Sequence, residues 1–231
     1  MAYKRTSAQP VVEGGTGASS FTAYSVITGG TTSTNPLQNV SGVGSSGQVL
    51  ASAGASALPA WSGGGWVLIQ SQTASTSASL VFSTGITTTY NVFAVTFKDV
   101  LPVTDAVSFF MDWSTDGGST YLNSNYQTGV SVNNWNSAAM FNATSATTNL
   151  ISNTIVNNTR GLSGTIYLYE LPSAAAPFYH GTTYYNTTLF GPINTTCYGL
   201  NTASTGINAI KFSFSSGNIA SGTISLYGIN K

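Results

Sequence analysis

The sequence predicts an all-β protein, an antiparallel β-sandwich or jelly-roll domain preceded by an extended N-terminal arm rich in Gly, Ser and Thr. From residue 66 onward, short apolar and β-branched runs are separated by clusters of Gly, Pro, Asn and Asp. Apolar and polar residues alternate in 93–97 and in 210–214, which is typical of strands with one buried face. No segment keeps an apolar stripe at helical spacing for three turns. Several strands with long irregular connections in residues 66–231 fit a sandwich or jelly roll.

Seven segments carry the strand signal. They are 66–70, 79–82, 90–100, 106–113, 164–171, 208–214 and 219–229. A short internal echo links two of them, because residues 163–171 and 221–229 both begin Ser-Gly-Thr-Ile and both continue to a Leu-Tyr pair. The echo predicts two strands of the same type, each entered through a Ser-Gly turn, with Ile and Leu on the core face.

The composition changes near residue 65, which predicts two parts: an assembly and anchoring arm at 1–65 and the β-domain at 66–231. In residues 1–65 apolar side chains are too widely spaced to enclose a core within one chain. The same composition is also typical of a disordered linker. A linker has no need of large apolar side chains, and these favour an arm that orders against neighbouring chains: Phe21, Tyr24, Ile27, Leu50 and Trp61.

Charge is scarce, since only 5% of residues are Asp, Glu, Lys or Arg and the formal net charge is zero. The few charges form no basic stripe, so a nucleic acid is not an expected partner. A neutral monomer with 12 Tyr and 11 Phe would tend to self-associate, which indicates a surface buried against identical copies. No window has the 18 or so apolar residues of a membrane span. No apolar run of signal-peptide length follows the N-terminus, so we expect synthesis in the cytoplasm.

The first 65 residues also carry a recognisable series of short motifs. It runs from Glu13-Gly-Gly-Thr-Gly17 through Asn35-Pro-Leu-Gln-Asn39 and Gly47-Gln-Val-Leu50 to Leu58-Pro-Ala-Trp61. This series resembles a cassette common in phage tail-fibre and similar virion structural proteins. The ending, Ser221-Gly-Thr-Ile-Ser-Leu-Tyr-Gly-Ile229, resembles the last strand of many phage surface proteins.

The resemblance implies a homotrimeric fibre subunit of the virion, made in the host cytoplasm. Three arms would wind together and anchor the subunit to other virion proteins of the tail, baseplate or capsid. The β-domain would present a surface for host attachment, with a glycan as the expected receptor. Two other functions stay open: a capsid decoration, cement or adaptor protein that stabilises the particle, and a small glycan-degrading tailspike.

Aromatic residues in Asn-, Ser- and Thr-rich stretches are the candidate glycan contacts. Flat rings beside amides and hydroxyls suit neutral sugars, because sugar C–H faces stack on rings while sugar hydroxyls form hydrogen bonds. The alternative is that about half of these rings belong to the core or to a trimer interface. The candidates are Tyr121, Tyr126, Trp135, Tyr179, Tyr184 and Tyr185.

One segment has the spacing of half a calcium loop. Asp112, Ser114 and Asp116 would supply oxygens at the first, third and fifth positions, with Gly117 at the sharp turn. The twelfth position is Asn123, where a bidentate Glu is expected. A hairpin turn at 116–118 explains the same residues without a metal. We therefore expect a turn and no cofactor, with these three residues as the secondary candidate for an ion site.

Catalytic patterns are sparse, and the sequence predicts a protein that is not an enzyme. His180 is the only histidine, and no Gly-x-Ser-x-Gly elbow is present for a serine nucleophile. A glycosidase needs two positioned carboxylates. The β-domain offers Asp99, Asp105, Asp112, Asp116 and Glu170. Cys197, the only cysteine, is expected to be a small buried side chain.

Overall fold

The structure is a computed structural model, and it describes residues 9–11, 15–31, 35–45, 48–134, 137–155, 160–187, 191–202 and 206–229. The chain divides into two compact units, Met1–Gly65 and Trp66–Lys231. Over the described residues the regular elements are sixteen β-strands and no α-helix. None of these residues lies in a helix long and apolar enough to span a membrane.

The N-terminal unit contains four short strands, which are β1 (Ile27–Thr28), β2 (Gln38–Asn39), β3 (Gln48–Ala51) and β4 (Ala60–Gly63). β1 pairs with β2 and β3 pairs with β4, both antiparallel. Trp61 on β4 donates its indole N–H to the carbonyl of Gly42 at 3.2 Å. Gly44 lies against the same ring with φ +76°, and a Cβ there would stand 2.8 Å from the indole. The assembly role of this unit stays a prediction.

Twelve strands form the second unit. They are β5 (Trp66–Thr73), β6 (Leu80–Phe82), β7 (Val92–Pro102), β8 (Val107–Ser114), β9 (Tyr126–Asn134), β10 (Ser137–Ser145), β11 (Asn149–Ile155), β12 (Leu162–Tyr169), β13 (Phe178–Thr187), β14 (Gly191–Asn201), β15 (Ala209–Phe214) and β16 (Ile219–Ile229). Each of the seven predicted segments overlaps one of these strands, and five further strands, β9, β10, β11, β13 and β14, lie where no strand was predicted.

The twelve strands form two antiparallel sheets. The large sheet has eight strands in the order β10-β9-β14-β13-β12-β7-β16-β5, and the small sheet has four in the order β11-β8-β15-β6. The sheets pack face to face through aromatic side chains: the Phe97 ring on β7 meets Phe109 on β8 at 5.6 Å and Phe212 on β15 at 5.4 Å between centroids. The prediction of an all-β antiparallel sandwich is confirmed.

The two echo strands, β12 and β16, lie on either side of β7 in the large sheet. Ile166 and Leu168 of β12 and Ile224 and Leu226 of β16 are fully buried in the core between the sheets. The predicted orientation of the echo is therefore confirmed. The predicted Ser-Gly turns are not, because 163–164 and 221–222 lie within the strands, at irregularities of the pairing with β7. Because side chains alternate along a strand, the residues that lie between the buried Ile and Leu of each strand point away from the core, onto the outer face of the large sheet.

Candidate functional site

The outer face of the large sheet carries side chains in rows that cross the strands, because residues paired in register share a face. We call two adjacent rows the aromatic rows. The first contains Trp66, Ile229, Val92, Tyr169, Phe178, Leu200 and Gln127. The second contains Leu68, Tyr227, Ala94, Tyr167, His180, Tyr198 and Gly129.

A third row, which we call the hydroxyl row, adjoins the second aromatic row and lies two residues from it along each strand, or three along β5, where the pairing with β16 has a bulge. It contains Ser71, Ser225, Thr96, Thr165, Thr182, Thr196 and Ser131. Seven neighbouring strands therefore each contribute one Ser or Thr to it. At one end the hydroxyls of Ser71 and Ser225 are 2.8 Å apart and hydrogen-bonded. Two residues along a strand correspond to about 7 Å, so the hydroxyl row borders the aromatic rows directly.

Six rings of the aromatic rows are in mutual contact, and we call them the ring chain. They are Tyr227, Trp66, Tyr167, His180, Tyr169 and Phe178, with successive ring centroids 5.5, 5.9, 5.7, 5.5 and 4.6 Å apart. The hydroxyl of Tyr169 is also 3.0 Å from Nε2 of His180, within hydrogen-bonding distance. Two of the rings are substantially exposed, Trp66 on the edge strand β5 at 44% and Phe178 on β13 at 42%.

Ala94 explains how the ring chain closes over the middle of the sheet. It is fully buried although it is outside the core cluster and shares its row with Tyr167 and Tyr227. Trp66 contacts both of these tyrosines from β5. The three rings therefore surround a small side chain, and a larger residue at position 94 would force them apart.

A groove of about 740 Å³ opens on the outer face at the Phe178 end of the ring chain. Gly129, which faces outward opposite Tyr198, has no side chain to fill the space beside that ring. Tyr198 is 50% exposed. The groove is lined by Gln127, Thr128, Thr144, Ser145, Ala176, Phe178, Tyr179, His180, Tyr198, Gly199 and Leu200.

The lining residues contain no carboxylate, lysine or arginine. They supply rings from Phe178, His180 and Tyr198, an amide from Gln127, and hydroxyls from Thr144 and others. Rings with neighbouring uncharged donors and acceptors suit a neutral, hydroxyl-rich ligand, because they can stack on its apolar faces and hydrogen-bond its edges. A charged ligand would find no counter-charge among these residues.

Three of the predicted glycan contacts are core residues, and the expectation for them is corrected. Tyr126, Tyr179 and Tyr185 are 1–2% exposed. Tyr179 donates its hydroxyl to the carbonyl of Leu150 at 2.8 Å, and Tyr185 donates to that of Asn153 at 2.7 Å. The Tyr126 oxygen accepts the backbone N–H of Trp113 at 3.2 Å. Burial raises the pKa of all three phenols, which are therefore internal hydrogen-bonding groups.

Of the other three candidates, Tyr121 and Tyr184 are not brought together. Tyr121 lies beside the small sheet, where the ammonium group of Lys211 stands 4.1 Å from the centre of its ring. Tyr184 is exposed on the outer face of β13, about 20 Å along the strand from Phe178. Trp135 lies outside the described residues.

The segment at 112–116 leads into a turn, and its oxygens are engaged by protein groups. The turn is not the predicted hairpin, because β8 and β9 lie in different sheets and do not pair. Asp116 accepts the backbone N–H of Thr120 at 2.9 Å and the Thr120 hydroxyl at 2.7 Å, and Ser114 donates to it at 2.7 Å. These hydrogen bonds, the backbone bond from Thr120 first, lower the pKa of Asp116 to about 2. Asp112 forms an ion pair with Lys211 at 3.0 Å and accepts the Thr148 hydroxyl at 2.7 Å. In the described part of the chain no three His, Cys, Asp or Glu side chains cluster as metal ligands.

Most outward-facing rings of the site were absent from the predicted set: Trp66, Tyr167, Tyr169, Phe178, His180, Tyr198 and Tyr227. One signal for Tyr198 was present in the sequence. Ile193 and Cys197 alternate with polar residues in β14, so the even-numbered positions, including 198, face away from the core.

Comparison of the chain with models of protein families, with curated proteins and with solved structures gave no match.

Proposed function

We propose that the chain is a non-enzymatic structural component of a virus particle, a tail-fibre-like subunit that attaches to a neutral glycan on a host surface. Residues 1–65 anchor it to other virion proteins, and the β-sandwich presents the glycan-binding face. The observation that carries the proposal is the uncharged groove, in which the exposed rings of Phe178 and Tyr198 lie beside amide and hydroxyl groups.

The groove chemistry supports a sugar over other small ligands. A pyranose ring has an apolar C–H face that packs on a flat aromatic ring, and its hydroxyls need donors and acceptors at the edge of that ring. Phe178 and Tyr198 supply the rings, and Gln127, Thr144 and Ser145 supply the polar groups. The lack of charge in the lining favours neutral sugars over sialylated or phosphorylated ones.

The fibre context is supported by the N-terminal motifs and by the composition. The cassette between residues 13 and 61 resembles that of phage tail-fibre proteins. A chain with 5% charged residues, 12 Tyr and 11 Phe is better suited to a homotrimer than to an isolated monomer. The virion is accordingly the proposed location, and identical chains and other virion proteins are the proposed partners.

The positions of the acids support attachment over hydrolysis. Glycoside hydrolysis uses two carboxyl groups on either side of the scissile bond. Asp112 forms an ion pair with Lys211, and Asp116 accepts a hydrogen bond from the Thr120 backbone N–H within a turn. None of the five acids of the β-domain lines the groove, where His180 is the only imidazole.

The test is binding of the full-length chain to an array of neutral, sialylated and phosphorylated saccharides. We expect binding to a subset of neutral saccharides, no release of reducing ends, and a loss of about tenfold in affinity for Tyr198→Ala. Tyr184→Ala is the matched control, because Tyr184 is 42% exposed on the same face but does not line the groove. Failure to bind any saccharide would contradict glycan attachment, and release of reducing ends would favour the glycan-degrading tailspike.

A decoration or adaptor role is the second candidate, and the exposed ring chain supports it as an apolar surface for docking on a particle. This role predicts that the full-length chain binds viral capsids that lack it. Tyr198→Ala and Trp66→Ala would then weaken capsid binding, while the saccharide array would stay blank.

A further inference from the structure

The ring chain extends well beyond the groove. The groove lies over β9, β10, β13 and β14, whereas the ring chain continues from Phe178 on β13 to Trp66 on β5. Between β14 and β5 the sheet has five inter-strand steps, which correspond to about 24 Å at about 4.8 Å a step. A single sugar in the groove would leave most of this aromatic surface unused.

The hydroxyl row follows the ring chain over the same strands. Thr182 and Thr196 stand two residues from His180 and Tyr198, and Ser225 stands two residues from Tyr227. Trp66 lies in the aromatic row farther from the hydroxyls, with Leu68 between it and Ser71 on β5. The second aromatic row and the hydroxyl row run parallel across the sheet from β5 to β14, about 7 Å apart, with the first aromatic row on the far side. Rings and hydroxyls are therefore repeated side by side in one direction, across the strands.

The charge distribution keeps this surface neutral along its whole length. The aromatic rows and the hydroxyl row contain no Asp, Glu, Lys or Arg. On this face, Lys98 of β7 pairs with Thr223 on the side of the hydroxyl row away from the rings. The surface is thus matched to an uncharged ligand from the groove to Trp66.

We infer that the outer face binds a linear neutral polysaccharide laid across the strands, with one end in the groove at Tyr198 and further sugars along the ring chain to Trp66. The inference rests on the proposed glycan-binding function and deepens it, because it replaces recognition of one terminal sugar by recognition of a run of sugars.

A protein partner fits this face less well. The cores of protein interfaces are enriched in aromatic residues, Met and Arg and are depleted in Ser. The outer face has the aromatic residues, but its rows lack Arg and Met and contain Ser71, Ser225 and Ser131. Closely spaced hydroxyls suit a ligand that presents hydroxyls of its own.

The experiment compares ligand lengths by isothermal titration of the full-length chain. The probes are di-, tetra- and hexasaccharides of one neutral linear glycan, chosen as the series that gives the strongest binding on the array. We expect affinity to rise about tenfold or more from the disaccharide to the hexasaccharide. Trp66→Ala should lower hexasaccharide affinity about tenfold and change disaccharide affinity less than about twofold.

Two further variants separate binding from folding. Trp66→Phe keeps a ring and should recover most of the hexasaccharide affinity, and Tyr198→Ala should weaken all three lengths, because each occupies the groove. The thermal unfolding midpoint of every variant is measured alongside.

The outcomes distinguish the inference from the proposed function. Equal affinity for all lengths, with no effect of Trp66→Ala, would overturn the linear track and leave the groove as a site for one sugar. No binding of any saccharide would overturn both. Loss of the oligomer in Trp66→Ala, seen by light scattering, would assign the ring chain to contacts between copies and overturn the track.

Discussion

The ring of Tyr169 lies parallel to that of Phe178, with the planes 7° apart and the centroids 4.6 Å apart. The two residues face each other directly across β12 and β13. His180, two residues further along β13, stacks on the Tyr169 ring, and its Nε2 is 3.0 Å from the Tyr169 hydroxyl. Tyr169 thus joins the two groove rings, and His180 continues the ring chain to Tyr167, 5.7 Å away between centroids.

This stacked pair should be measurable as a coupling energy. We expect Tyr169→Leu and Phe178→Leu to show a coupling of about 1 kcal/mol in a double-mutant cycle, because a partly exposed aromatic pair contributes roughly 0.5–1.5 kcal/mol beyond its buried area. The measurement is the free energy of unfolding by urea denaturation of the four proteins. Additive effects of the two substitutions would contradict a direct ring–ring interaction.

The thiol of Cys197 should be inert in the folded protein. Burial raises its pKa to about 12, because a thiolate is not stabilised away from water. Titration with a chromogenic disulfide at pH 8 should therefore give no reaction in native buffer and one thiol for each chain in denaturant. Rapid native reaction at the rate of a free cysteine would show that β14 is accessible from solvent.

Alkaline pH should destabilise the sandwich through its buried phenols. The pKa values of Tyr126, Tyr179 and Tyr185 are raised by burial, so the folded state binds these protons more tightly than the unfolded state does. Their contribution to stability is complete below the ordinary tyrosine pKa of about 10 and is lost as the pH rises above it. Unfolding midpoints measured from pH 8 upward should fall above about pH 10. Tyr24→Phe is the control and should leave this decline unchanged.

Acid should destabilise the turn at Asp116, because the pKa of this carboxyl is lowered in the folded state. Because the pKa of the Asp116 carboxyl in the folded state, about 2, is below its usual value of 3.8, the contribution of this carboxylate to stability is present above about pH 4 and is lost as the pH falls through 2. Thr120→Val removes the hydroxyl donor and should shift the carboxyl titration upward, measured by carbon NMR of the side chain. Unchanged titration in Thr120→Val would contradict the 2.7 Å hydrogen bond.

The N-terminal unit should govern the oligomeric state. We expect light scattering to give three times the chain mass of 23.8 kDa for the full-length protein and a smaller mass after removal of residues 1–65. The reason is that the sparse apolar side chains of this unit are more fully buried among three copies than in one. A monomeric full-length chain would contradict the self-wound fibre and favour a tether that orders on another protein.

The fold was predictable wherever a strand buries apolar residues at every second position. β7, β8, β12, β15 and β16 show this pattern, and their inward residues are Phe, Val, Ile, Leu, Met and Trp. β13 and β14 were missed because their outward positions are mostly Thr, Asn and Tyr, and because buried Thr183 and Thr195 stand at inward positions. Such strands resemble polar loops in composition.

The site was less predictable than the fold because β13 has aromatic residues on both of its faces. Phe178 and Tyr184 face outward, whereas Tyr179 and Tyr185 face the core. The sequence indicates a tyrosine-rich strand but does not reveal its register, since a shift of one residue exchanges the two faces. The sequence likewise predicts Trp66 only as the start of a strand. Its contacts with Tyr167 and Tyr227 depend on the order of four strands in the sheet, which the sequence does not indicate.

The single histidine offers the most direct test of the central claim, that the outer face binds a neutral glycan. His180 is the only histidine of the chain and lies in both the groove and the ring chain. The measurement is the proton NMR signal of its imidazole during titration of the full-length chain with the hexasaccharide that binds best on the array. We predict a saturable shift with the same dissociation constant as calorimetry, and Tyr198→Ala should weaken it. Saccharide binding with an unmoved His180 signal would contradict the outer face as the glycan site.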